Sequence, residues 1–220
     1  MRRSVTLELA IIGALALLFV ATAPVRPAYV DFALAGAAFA LIVLSARRSR
    51  LLWALAPPPA APDARSAWQL AGGFTVLSLV ALAGVGVIVA HLRGEAWQPR
   101  FLNWHFAVAA VLYPVWALLQ QYIFQFYLLG RLLQLVALRF AIPVAACAFA
   151  AVHFPRWPVM LATVVAGAVW SLCYYRSRRL LPLAVAHGLL GAALHYWVLD
   201  HDLLDAWLPH WSWVEQAPPP

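Results

Sequence analysis

Apolar residues in this chain come in long blocks, separated by short breaks rich in arginine and proline. A block of about 18 or more such residues reads as a helix able to cross a bilayer. The blocks predict spans at 7–23, 28–45, 68–91, 104–130, 140–154, 157–175 and 180–199. The fifth is short for a simple crossing, with Pro143 and Pro155 bracketing it. Between the second and third spans, Pro57, Pro58, Pro59 and Pro62 make a linker that is not helical throughout. No repeat of 20–50 residues breaks the pattern. The expected fold class is all-α, a polytopic membrane helical bundle of about seven transmembrane helices. Within it, residues 1–100 hold the N-terminal helices and linker, 101–200 a motif-bearing core, and 201–220 an interfacial and disordered tail. Trp207, Trp211 and Trp213 suit the outer membrane–water interface.

Composition turns this pattern into a membrane assignment. Hydrophobic residues make up 65% of the chain and charged residues 10%, against roughly a quarter charged in a soluble domain. All 15 basic residues are arginine. With a cytoplasmic N-terminus, eleven of them (Arg2, Arg3, Arg47, Arg48, Arg50, Arg65, Arg131, Arg139, Arg176, Arg178 and Arg179) fall inside. Arg26, Arg93, Arg100 and Arg156 fall outside. This bias gives an N-in, C-out orientation in the cytoplasmic (inner) membrane. The net charge of +7 is thus a topology signal. It is not a nucleic-acid footprint, because no aqueous domain carries a basic face. The bilayer is the expected partner, with a hydrophobic peptide or membrane protein as substrate.

The first span also resembles a secretory signal, ending in Ala21-Thr22-Ala23. Pro24 just after that site and Glu8 within the apolar stretch favour a retained helix. Cys147 and Cys173 read as small buried hydrophobes rather than a disulfide or metal pair.

Polar groups inside spans are costly and mark function. The fourth span carries Gln120, Gln121 and Gln125. On an α-helix Gln121 and Gln125 share a face, with Gln120 about 100° round. Such a cluster lines a cavity or bonds to neighbouring helices. The fifth span ends with Phe149 and, four residues on, His153. The seventh carries His187, Gly191 and His195 at spacings of four. Each histidine could simply bond a neighbouring helix, but two of them alongside a glutamine cluster suggest a site.

In order and spacing these residues resemble the CPBP intramembrane proteases, which include type II CAAX prenyl endopeptidases and bacteriocin-processing homologues. That family shows E-E-x-x-x-R, then F-x-x-x-H, then H-x-x-x-N/D. Here stand Gln120-Gln121-x-x-x-Gln125, Phe149-x-x-x-His153 and His187-x-x-x-Gly191. The resemblance covers roughly residues 105–197, including Gly130, Gly167 and the Tyr-Arg-Ser-Arg-Arg-Leu-Leu-Pro stretch before the last motif. It implies that Gln120 and His153 stand where the family activates a water, with a metal as one option there, and that His187 stands where an oxyanion is stabilised. Catalytic residues are therefore expected at His153, His187 and Gln120, and binding residues at Gln121, Gln125, Phe149 and Gly191.

The departures are chemical. Glutamine keeps the shape of glutamate but accepts no proton at neutral pH, and no Asp or Glu occurs from Ala96 through Leu199. Gln125 in place of arginine fits a site made neutral throughout, since an unpaired buried cation would be costly. Glu8 is expected to lie away from the site. No metal site is expected, because a divalent ion held by His153 and His187 would lack the third ligand usual for catalytic zinc. The expected function is peptide-bond hydrolysis of membrane-associated substrates at a variant Gln-Gln site. Two alternatives stand beside it: a catalytically silent pseudoprotease that binds membrane segments, and a haem-binding bundle using His153 and His187 or His105 and His195.

Overall fold

The computed structural model describes residues 2–22, 28–48 and 64–207. The proline linker, the Pro218–Pro220 tail, Trp211 and Trp213 lie outside these residues. The described residues are helical with short connections and contain no strand. They form an integral membrane, all-α bundle. The long helices are α1 (Arg2–Thr22), α2 (Ala28–Arg48), α3 (Ala64–Leu92) and α5 (Trp104–Gln121), with the short α4 (Gln98–Phe101) before the last. A π-helical segment, Tyr122–Leu128, continues α5 into α6 (Leu129–Leu132). Then come α7 (Leu138–Ala151), α8 (Trp157–Ser177) and α9 (Leu181–Ala193). A second π segment, Leu194–Leu199, and α10 (Leu203–Trp207) complete the described chain.

Each predicted span coincides with a helix. Among the described residues, four stretches are long and apolar enough to cross a membrane: Arg65–Leu92, Gln98–Leu132, Trp157–Ser177 and Leu181–Leu199. Val5–Leu18, Gly36–Arg47 and Leu138–Ala151 are shorter apolar helices. Backbone bonds satisfied within each helix are what a hydrocarbon environment requires.

The helices form two compact units that interleave in sequence. Unit one comprises Met1–Ala67 and Gln120–Leu180, and unit two Trp68–Leu119 and Leu181–Pro220.

In unit one, α7 and α8 make a tightly packed hairpin. A Cβ at Gly167 of α8 would lie 3.1 Å from the Phe149 ring and 3.3 Å from the Ala146 backbone, so the missing side chain sets the approach of the two helices. Pro143 lies inside α7 rather than at its start. The helix stops at Ala151 because Pro155 has no N–H to donate to that carbonyl. Cys173 is buried as expected, but Cys147 is exposed, and neither is in a disulfide. Cys147 shares an outward face of α7 with Phe140 and Val144, at spacings of four and three. A small apolar thiol on a lipid-facing side needs no burial.

In unit two, α3 ends in a Schellman turn. Gly94 has φ +69°, and the Glu95 amide donates to the Ala90 carbonyl at 2.9 Å. The core gathers Ala109 and Tyr113 of α5 with Ala192, Tyr196 and Leu203. Helices α5 and α9 meet at glycine: a Cβ at Gly188 would fall 2.5 Å from three atoms of Pro114. Gly188→Ala is therefore expected to destabilise the protein by about 1–3 kcal/mol, seen as a lower unfolding temperature in lipid nanodiscs.

Candidate functional site

Unit one carries the first two motifs. Gln121 and Gln125 are each 1% exposed, which agrees with their shared inward face. The Gln125 amide lies 3.5 Å from the Ser171 hydroxyl of α8, itself fully buried. The Gln120 carboxamide oxygen is buried and meets no donor among the described residues. The helix widens to π winding directly after Gln121, a local feature frequent at functional sites. Phe124 of this segment packs on Phe149 of α7 with ring centroids 4.9 Å apart. The first two motif helices thus meet through these rings.

His153 stands in the turn after α7 rather than on the helix. Its ring still meets Phe149 edge-on, at 5.2 Å between centroids. Its Nδ1 lies 2.9 Å from the Phe149 carbonyl oxygen. A carbonyl only accepts, so Nδ1 carries the proton and Nε2 carries the lone pair. The four-residue spacing therefore holds the neutral imidazole in one tautomer, with Nε2 as the basic atom.

The donor set does not suit a catalytic divalent metal. Gln120, Gln121 and Gln125 offer neutral amides, and His153 offers a single free nitrogen, Nε2. Catalytic zinc is usually held by three imidazole, thiolate or carboxylate groups.

Glu8 bonds to Tyr127 and Arg131, which follow the three glutamines in sequence. It reaches the motif-bearing helix, where it accepts a hydrogen bond from the Tyr127 hydroxyl. It also pairs with Arg131, Nη2 to Oε1 at 3.1 Å. Ser45 of α2 donates to the same carboxylate and accepts from Arg131 at 2.8 Å. The Arg131 side chain is 3% exposed and that of Glu8 25%. Buried charges of a membrane protein pair in this way.

Unit two carries the third motif. His187 and His195 are buried, at 3% and 6% exposure. The His195 Nδ1–H donates to the Gly191 carbonyl at 3.1 Å. Tyr113 of α5 lies against this face of α9. Its ring centroid is 5.9 Å from that of His187 and 6.5 Å from that of His195. Sequence reasoning passed over Tyr113; the glycine at the last motif position, which leaves room for a neighbour's ring, was the available signal.

Beyond the end of α9, His105, Asp202 and Asp205 bring ligand atoms within 4.8 Å of one another. Asp202 is already engaged. Oδ1 accepts from the Tyr196 hydroxyl at 2.7 Å and the Leu204 amide at 2.9 Å. Oδ2 accepts from the His105 Nδ1–H at 2.6 Å and the Asn103 amide at 3.4 Å. The residue caps α10. Burial raises its pKa, but the hydrogen bonds from Tyr196, His105 and the Leu204 and Asp205 amides outweigh burial and hold it below the ordinary 3.8. A depressed carboxylate stabilises the fold above its ordinary pKa and loses that contribution as the pH falls through the folded value. Hydrogen-exchange protection of the Leu204 amide is thus expected to fall as the pH drops below about 4, and Asp202→Asn is expected to abolish that dependence.

Residues 99–193, which hold all three motifs, match the Rce1-like type II CAAX prenyl endopeptidase family. No curated protein and no solved structure matches the chain. Over this segment the chain is similar to type II CAAX prenyl endopeptidases of the Rce1-like family, in keeping with the resemblance its motifs carry to the CPBP intramembrane proteases.

Proposed function

We propose that this protein hydrolyses peptide bonds of membrane-associated substrates at a site whose carboxylates have become carboxamides. The observation that carries the reading is the Nδ1–H bond from His153 to the Phe149 carbonyl, which leaves Nε2 as a proton acceptor. In this reading Nε2 takes a proton from a water that the Gln120 oxygen orients. The hydroxide adds to the scissile carbonyl, and the proton passes from Nε2 to the leaving amine as the bond breaks. The resemblance gives the position of His187 the part of oxyanion donor. Gln121 and Gln125 hold the neutral interior around Gln120, and Phe149 fixes His153.

The arginine distribution supports an N-in, C-out orientation in the cytoplasmic membrane, with residues 101–200 as the working core. The match across residues 99–193 favours hydrolysis over haem ligation. Nothing in these residues speaks to a prenyl group, so the substrate class is a hydrophobic, membrane-associated peptide.

The test is cleavage of a leucine-rich reporter peptide by the purified protein in lipid nanodiscs. Wild type is expected to cleave slowly, and His153→Ala to lose about 10²–10⁴ in rate. Equal rates in the two proteins would remove His153 as the base. Peptide binding without cleavage in either would make the protein a pseudoprotease.

A further inference from the structure

Helix α8 ends on a residue that its backbone does not favour. Arg178, directly after Ser177, has φ 55° and ψ 24°, a left-handed conformation that glycine adopts freely and arginine does not. Its guanidinium carbon lies over two tyrosines of the last turn, 5.7 Å from the Tyr174 ring centroid and 5.3 Å from that of Tyr175. Tyr174 also takes a hydrogen-bonding contact from this guanidinium. Nε and Nη1 of Arg178 are nevertheless buried and meet no acceptor among the described residues. A permanent positive charge with two idle donors is costly away from water. The neighbouring chain offers no counter-ion. No Asp or Glu occurs from Ala96 through Leu199, and Arg176 and Arg179 stand exposed on either side.

We infer that Arg178 is the centre of a phosphate-binding site at this end of α8, filled by the headgroup phosphate of an anionic phospholipid. Guanidinium and phosphate match in charge and in the spacing of paired N–H donors and acceptor oxygens. Arg178 lies just beyond the apolar stretch Trp157–Ser177, the level at which headgroups lie against a spanning helix. The residue as a whole is half-buried, and rotation about its own side-chain bonds brings the two donors to the surface. Phosphate then supplies the acceptors that the described residues do not. The site belongs to α8 and asks nothing of the hydrolytic reading.

The test uses the full chain in two sets of nanodiscs, one of phosphatidylcholine alone and one with phosphatidylglycerol mixed in. It reads the unfolding temperature and the phosphatidylglycerol retained after transfer to detergent. Wild type is expected to unfold at a higher temperature with phosphatidylglycerol and to carry that lipid into detergent. Arg178→Gln is expected to retain about tenfold less and to lose the temperature shift. Arg178→Gly removes the strained backbone together with the charge. It is expected to match or exceed the stability of wild type in phosphatidylcholine and still lose the response, which separates ligand loss from misfolding. Arg179→Gln makes the same change of net charge at an exposed neighbour and is expected to keep the response.

Equal responses of wild type and Arg178→Gln overturn the site. So does an equal loss in Arg179→Gln, which would leave only attraction between a basic surface and an anionic bilayer. Inorganic phosphate added to the phosphatidylcholine nanodiscs checks the source. A shift as large as that from phosphatidylglycerol, absent in Arg178→Gln, overturns the lipid as occupant and keeps the phosphate site.

Discussion

Replacing Glu8 with alanine is expected to lower the unfolding free energy by about 3 kcal/mol. Glu8 lies 123 residues before its partner Arg131. Deleting it leaves a guanidinium that is 3% exposed without its carboxylate. The bonds from Tyr127 and Ser45 to that carboxylate are lost at the same time. Breaking a buried pair by removing one partner costs about 3–5 kcal/mol. The quarter exposure of the Glu8 side chain places the effect at the lower end. Glu8→Gln keeps an acceptor for Tyr127 but not the charge, so its loss is expected to be smaller. Glu8→Leu combined with Arg131→Met removes both charges and is expected to fall within about 1 kcal/mol of wild type. Unfolding in nanodiscs of the single and double variants measures this. A Glu8→Ala protein as stable as wild type would show that the pair does not hold α1 and α2 to the fourth span.

The fold was largely legible because a bilayer leaves few options. Every spanning segment must satisfy its own backbone, so long apolar blocks separated by arginine and proline translate almost directly into helices. What the blocks do not encode is their winding. Tyr122–Leu128 and Leu194–Leu199 are π-helical continuations of apolar helices, and the apolar pattern alone does not distinguish the two windings.

At the site, spacing predicted the Phe149–His153 contact, but its support is a turn, because Pro155 ends α7 two residues before His153. Gln121 and Gln125 were legible as inward-facing because three carboxamides within two turns cannot all face lipid. The Glu8–Arg131 pair was not legible because pairing across 123 residues leaves no trace in local spacing. Cys147 was misjudged because burial habits learned from soluble cores do not hold on a face turned to hydrocarbon. Tyr113 was invisible for a different reason. Its significance lies in a missing side chain on another helix, and only the approach of its ring to Gly191 reveals it.

The second large effect is expected at Gln120. Its carboxamide oxygen is buried without a donor among the described residues. Gln120→Glu would place a proton-accepting carboxylate there with almost no change of volume. A general base contributes about 10²–10⁴ in rate, so the substitution is expected to raise cleavage by about 10²-fold if the remaining machinery is intact. Gln120→Ala, which removes the water-orienting oxygen, is expected to lower it. Substitutions at Gln121 are expected to act less strongly, because its role here is to keep the interior neutral. The comparison that bears most directly on a protease core with a neutralised centre is the cleavage rate of Gln120→Glu against wild type in the same nanodiscs. The account predicts a gain of about 10²-fold that disappears when His153→Ala is added. A Gln120→Glu protein that folds, binds the peptide and cleaves no faster than wild type would contradict it.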